Sequence, residues 1–206
     1  MTLTNLRTAP LHLVRQKDGI AIDLSPIQGF WTLEQYLKLT DSTSLLVEYT
    51  DGVIEVLPMP TDQHQVILLF LYELLRAFLP LKQGKILVAP LRLHIRDGKQ
   101  REPDLLLVLD ANDPRRQNRY WLGADLVVEV VSEDDPERDT VDKVIDYAEA
   151  GIPEYWIVNP IEQTITVLQL SDTNYRTYGI FGRGTYATSV LLDGFTIGVD
   201  AVLDAR

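Results

Sequence analysis

The sequence predicts an α/β (α+β) fold: a mixed central sheet flanked by helices, with an additional N-terminal hairpin and additional C-terminal strands. Three observations carry this expectation. Four β-prone runs follow one another over residues 85–131, a fully apolar run at 155–158 has the character of a central strand, and two segments have helical patterns, one over 66–79 and one after Asp139. With 206 residues, 46% of them apolar, the chain can bury one good core but is short for two full domains. It reads as an N-terminal arm over 1–30 followed by a single domain over 31–206.

The arm carries scattered Pro, Gly and Asp with only weak alternation. Thr32 and Gln35 have the spacing of a capping box and open a short helix that carries Tyr36, Leu37 and Leu39 and ends near Asp41. Asp51-Gly52 separates two β-prone runs, 45–49 and 53–57, and predicts a hairpin, because a type I′ turn needs positive φ at both central residues. Asp62, with Gln65 three residues on, marks a helix start, and Pro80 closes the run. Only Glu73 and Arg76 interrupt that helix's apolar surface over 66–79, which predicts burial on both faces, between a sheet and another layer or subunit. Strands are expected at 85–89, 91–95, 104–109 and 126–131, with Asp97-Gly98 as a turn. Asp139 is expected to cap the next helix, whose apolar stripe is Val141, Val144, Ile145 and Ala148 and whose end is Gly151. The strand 155–158 follows, Asn159-Pro160 breaks it, and strands at 164–170, 175–178 and 190–195 complete a meander.

Composition excludes several function classes. The 30 Asp+Glu against 19 Lys+Arg give a net charge of -11, so the chain does not bind nucleic acid or an anionic membrane by bulk charge. The absence of cysteine rules out disulfides, thiolate zinc sites and Cys nucleophiles. With no signal-peptide-like stretch and no apolar run near the ~20 residues of a membrane span, the expectation is a cytoplasmic protein with no membrane partner. Ser132 has neither a nearby His nor elbow glycines, there is no Gly-rich phosphate loop, and His12 and His94 lack partners at zinc-ligand spacing.

Two carboxylates stand out. Asp104 heads a strand, and Glu129 lies inside an apolar run where an acid is costly to bury unless it is paired, protonated or bound to metal. Lys143, at the start of the Asp139 helix, lies away from the apolar stripe on a helical wheel and points to solvent or a cleft, with Tyr147 one turn along on its side. Each residue alone has a plain alternative: an edge carboxylate facing water, or a solvated lysine pairing with Asp139 or Asp146. Together they suit a hard divalent cation, Mg²⁺ or in its place Mn²⁺, which would neutralise phosphate oxygens and acidify water for phosphodiester hydrolysis. Lys143 would assist water activation and stabilise transition-state charge.

Pro103-Asp104, Glu129-Val130-Val131-Ser132, Asp139 with Lys143, and the Gly-Ile-Pro-Glu-Tyr-Trp-Ile-Val-Asn-Pro segment over 151–160 resemble the Uma family of cyanobacterial candidate restriction endonucleases, within the PD-(D/E)XK nuclease superfamily. The resemblance runs from about Glu48 to the C-terminal strands. It implies a restriction-endonuclease-like core, Asp104 and Glu129 as metal-binding carboxylates with the Val130 carbonyl as a further ligand, and DNA as substrate. The lysine of the superfamily pattern, two residues after Glu129, is Val131 in this chain, and the resemblance implies that Lys143 replaces it. Lys143 to Tyr147 is also similar to the Gln-x-x-x-Tyr helix motif of related nucleases.

Glu48 matches a Glu typical of the family and is either a third acid at the site or an exposed hairpin carboxylate. His64 either contacts substrate or a metal-held water, or is a partly exposed polar residue at a helix start. Arg115, Arg116 and Arg119, beside Tyr120, either touch the phosphate backbone or form a solvated loop answering the acidic loop over 133–137. The apolar helix and the meander leave surface that a homodimer would bury, and a partner protein is a second way to supply DNA affinity.

The functional expectation is therefore a Mg²⁺-dependent DNA endonuclease. Two alternatives stand beside it: a catalytically inactive nuclease-fold binding or assembly module, and an RNA-directed or nucleotide phosphodiesterase using the same metal site. The acidity does not oppose the first, since seven acids lie between Glu129 and Asp142 with only Arg138 against them, as a cation site would have before metal binds.

Overall fold

A computed structural model describes residues 10–15, 17–79 and 84–206. In chain order its first elements are β1 (His12–Val14), β2 (Ala21–Asp23), α1 (Leu33–Thr40), β3 (Val47–Thr50), β4 (Val53–Val56) and α2 (Asp62–Phe78). Next come β5 (Lys85–Val88), β6 (Leu93–Arg96), β7 (Lys99–Arg101), β8 (Leu105–Val108), β9 (Leu126–Val130) and α3 (Lys143–Glu149), the last entered through a π-helical turn, Arg138–Asp142. The chain closes with β10 (Glu154–Asn159), β11 (Thr164–Ser171), β12 (Asn174–Gly182), β13 (Tyr186–Thr188), β14 (Thr196–Gly198) and α4 (Val199–Leu203). Among the described residues no helix is long and apolar enough to cross a membrane.

The backbone forms two compact units. The first comprises Met1–Met59 and Asp97–Arg101. Here Thr32 caps α1 in a full capping box, its hydroxyl accepting from the Gln35 amide (3.2 Å) and its own amide donating to the Gln35 side chain (2.8 Å). Asp51 and Gly52 take φ of 47° and 85°, the type I′ geometry, and close the β3–β4 hairpin. β7 pairs with the other edge of β3, and Tyr36 stacks on Tyr49 with ring centroids 5.2 Å apart. Within the expected arm, β1 and β2 make an exposed antiparallel ribbon.

The second unit, Pro60–Arg96 and Glu102–Arg206, is built on a six-stranded mixed sheet in the order β12-β11-β10-β9-β8-β5. Only the β9–β10 pair is parallel; the other pairs are antiparallel. Strands β8, β9 and β10 are apolar on both faces because both faces are covered. Leu105, Leu107, Leu126, Val128 and Trp156 pack with α2 and α4, while Leu106, Val108, Val127 and Tyr155 pack with Tyr147 of α3. This mixed sheet between helices is the α/β (α+β) fold expected.

Four local expectations are corrected. The α2 cap is Thr61, whose hydroxyl accepts from the His64 amide, rather than Asp62; Pro80 lies outside the described residues. Within the chain α2 buries one face against the sheet, through His64, Ile67, Leu68, Leu71 and Leu75, and leaves Leu69 50% exposed. Residues 190–195 do not form a strand: the buried Glu154 carboxylate accepts the Val190 and Leu191 amides (both 2.7 Å), taking donors that a ladder would need. The stripe read on α3 is split, with Val144 half-buried against the core and its neighbours turned to water. Val141 and Ile145 are 50% and 64% exposed, whereas Lys143, Asp146 and Tyr147 are buried, and Asp139 forms an ion pair instead of a cap.

Candidate active site

Asp104 stands immediately before β8 and Glu129 near the end of β9. The antiparallel register, Leu105 opposite Val128, sets the two acids across from each other. Each is held by the other strand's backbone: the Val130 amide donates to Asp104 Oδ2 (2.8 Å) and the Asp104 amide donates to Glu129 Oε2 (3.2 Å). Strand alternation turns Glu129, like Val127 and Val131, toward the α3 face. There Glu129 Oε1 accepts from the Tyr147 hydroxyl and lies 2.9 Å from Lys143 Nζ, which is also 3.0 Å from Asp139 Oδ1. The Tyr155 hydroxyl donates to the Asp139 carbonyl (2.8 Å) and so ties the π-helical turn to the sheet. A π-helical turn is a frequent device for aiming side chains at a functional site. His64, in the first turn of α2, sets Nε2 3.1 Å from Asp104 Oδ2. Its Nδ1 is buried with no hydrogen-bond partner.

The group is densely charged for its burial. The side chains of Lys143, Glu129 and Asp139 are 5%, 2% and 7% exposed, and Asp104 is the more open member at 15%. Burial drives the Glu129 carboxyl well above its usual range; the charges of Asp104 and Asp139 add to this, and Lys143 and Tyr147 offset only part of it. Burial also opposes ionisation of Asp104, but the His64 hydrogen bond and charge, Lys143 and the Val130 amide outweigh it and hold the group below its usual value. For His64 burial disfavours the imidazolium, yet the hydrogen bond and charge of Asp104, with Asp139 and the Val130 backbone, raise its pKa. The two acids are thus pushed in opposite directions by their surroundings.

The structure brings Asp104, Glu129, Val130, Lys143, Tyr147 and His64 together. Glu48 belongs to the first unit, where it is buried rather than exposed and lies 3.5 Å from Arg101 Nε. Arg115 is engaged inside its own loop, paired with Asp113 and with Asp125 (2.6 Å), and Arg116 lies over the Trp121 ring. Arg119 is exposed on the same loop. Asp139 enters the site as a buried partner of Lys143; the acid–lysine spacing of four residues was its signal, masked by its position at a helix start. Among the described residues no group of three or more His, Asp and Glu side chains is arranged to hold a metal ion. The oxygen donors are two carboxylates with the adjacent Val130 backbone.

A mixed sheet carrying two acids on neighbouring strands and a lysine on the following helix defines a restriction-endonuclease-like protein. A family model described as "Putative restriction endonuclease", Uma2, matches residues 33–200, and the chain belongs to that family. It is similar to a crystal structure titled as a putative nuclease from Anabaena variabilis ATCC 29413, with 20% sequence identity, a TM-score of 0.69, and coverage of 84% of this chain and 97% of that one. This likeness is one of fold. No curated protein matches the chain.

Proposed function

We propose that the chain is a metal-dependent endonuclease hydrolysing DNA phosphodiester bonds, with Asp104, Glu129 and the Val130 carbonyl as the cation ligands. The observation that carries this reading is the cross-bonding of Asp104 and Glu129 through each other's backbone strands, with a buried Lys143 ammonium on Glu129. The donor set fits Mg²⁺, a hard cation that takes one or two carboxylates and completes its shell with water and phosphate oxygens; it does not fit a zinc cage. Family membership supports the nuclease class.

When bound, the cation supplies charge that neutralises phosphate oxygens and makes a nearby water more acidic. Asp104 is the more accessible carboxylate and faces incoming substrate. Lys143, clamped between Glu129 and Asp139, holds a fixed positive charge whose orientation costs nothing at the moment of reaction, where the phosphorus gains negative charge. Tyr147 positions Glu129, and His64 positions Asp104.

The test is nicking of supercoiled DNA by the full chain with Mg²⁺ or Mn²⁺, with and without chelator. Asp104→Asn keeps an acceptor for the Val130 amide while removing the charge. It is expected to lower the rate by about 10³-fold or more, the equivalent of about 4 kcal/mol of transition-state stabilisation. Identical traces from wild type and Asp104→Asn would overturn the proposal and leave the non-catalytic binding module as the reading.

A further inference from the structure

At the far end of β8 from Asp104, a pocket of about 220 Å³ is lined by Arg76, Lys85 and Arg116 together with Leu79 and Ile86. We infer that this pocket is a second anion site, built to take a phosphate group. Among the described residues, three cations and no acid line this small volume, in a chain of net charge -11. Among the described residues, neither Arg76 nor Lys85 has an ion-pair partner. Such an arrangement concentrates positive potential in a concave surface, where it is worth more than the same charges spread over a convex one.

Arg116 is positioned rather than loose. Its guanidinium carbon lies 5.6 Å from the centroid of the buried Trp121 ring, its amide donates to the Asp113 carbonyl (3.0 Å), and its Nε is buried without a hydrogen-bond partner. Asp113, which would otherwise compete for Arg116, is held by Arg115. A planar guanidinium fixed over an aromatic ring presents its fork to an oxyanion at little entropic cost. The basic loop that the sequence marks as a phosphate contact therefore works through Arg116 in the pocket, while Arg115 holds the loop together.

The spacing suits a substrate longer than the reacting bond. Arg76 lies twelve residues along α2 from His64, about 18 Å at 1.5 Å per residue. Lys85 pairs with Val108, about 13 Å along β8 from Asp104. At 3.4 Å of axis per nucleotide, this is about four to five nucleotides from the cleavage point. The source of the phosphate, a nucleic-acid backbone, rests on the nuclease reading; the anion site itself does not.

The test measures binding in Ca²⁺ with two probes, a short labelled DNA duplex and inorganic phosphate, on wild type and on Arg76→Ala combined with Lys85→Ala. Arg76 is exposed and Lys85 half-buried, and unchanged melting without ligand establishes that the variant folds. A fall of about tenfold in duplex affinity, with the slope of log K against log salt reduced by about 1 to 2, identifies a backbone phosphate as the ligand. A phosphate-induced rise in melting temperature seen only in wild type, with duplex affinity equal in both, identifies a free phosphate-bearing ligand. Equal responses of the two proteins to both probes would overturn the inference. A wild-type protein that leaves plasmid intact in Mg²⁺ counts against the nuclease reading alone, since the phosphate arm still decides the pocket.

Discussion

The two helices that cover opposite faces of the main sheet are built on opposite principles. Beyond its first turn, which carries Asp62 and the buried His64, α2 buries Ile67, Leu68, Leu71 and Leu75 and turns Glu73 and Arg76 outward, as burial of apolar area requires. α3 and the turn before it bury Asp139, Lys143, Asp146 and Tyr147 and leave Val141 and Ile145 in water. The apolar choice was open to α3, since its sequence contains the stripe. Burying ions instead of Val141 and Ile145 costs several kcal/mol of desolvation that pairing repays only in part. What α3 gains is a lysine fixed on Glu129. The difference teaches that α2, beyond the His64 turn that meets Asp104, stabilises the sheet, while α3 is shaped by the acid it faces.

Removing one partner from each helix should separate these roles. Lys143→Ala leaves Glu129 and Asp139 buried without their cation and should cost about 3–5 kcal/mol in urea unfolding, with nicking lost even where the protein is folded. Leu71→Ala should cost about 3 kcal/mol by cavity formation, yet leave the nicking rate per folded molecule within about twofold of wild type. A large activity loss there would erase the contrast between the helices. Tyr147→Phe removes one hydrogen bond to Glu129 and keeps the ring edge-on to Tyr155, so about 1–2 kcal/mol of stability and a partial rate loss are expected. Smallest of all, Ile145→Ser should change stability by no more than about 0.5 kcal/mol, because the side chain is already in water. A cost near that of Leu71→Ala would mean that a partner covers the exposed stripe.

Much of the site is legible without coordinates. Asp104 and Glu129 stand out because an acid attached to a buried strand is costly, and Lys143 because it lies off the apolar stripe of its helix. The direction of α3 was not legible: a wheel separates two faces but does not say which one meets the sheet. Nor could spacing reveal that His64 reaches Asp104, since that contact joins the start of one helix to the entry of a strand forty residues later. Arg115 and Arg116, adjacent in a basic run, look alike in sequence; Asp125 and Trp121 give them different work.

By itself the sequence determined the features that depend on neighbours along the chain. These are the Thr32 capping box, the Asp51-Gly52 turn, the apolar strands that must lie inside a covered sheet, and the acids out of place on two of them. Tertiary structure alone decided which strands became neighbours, that Glu154 would capture the amides of residues 190 and 191, and that a charged helix face would turn inward. Local propensity acts over a few residues. The choice between burying a stripe and burying an ion pair is made by what waits on the opposite surface, and here Glu129 waits there.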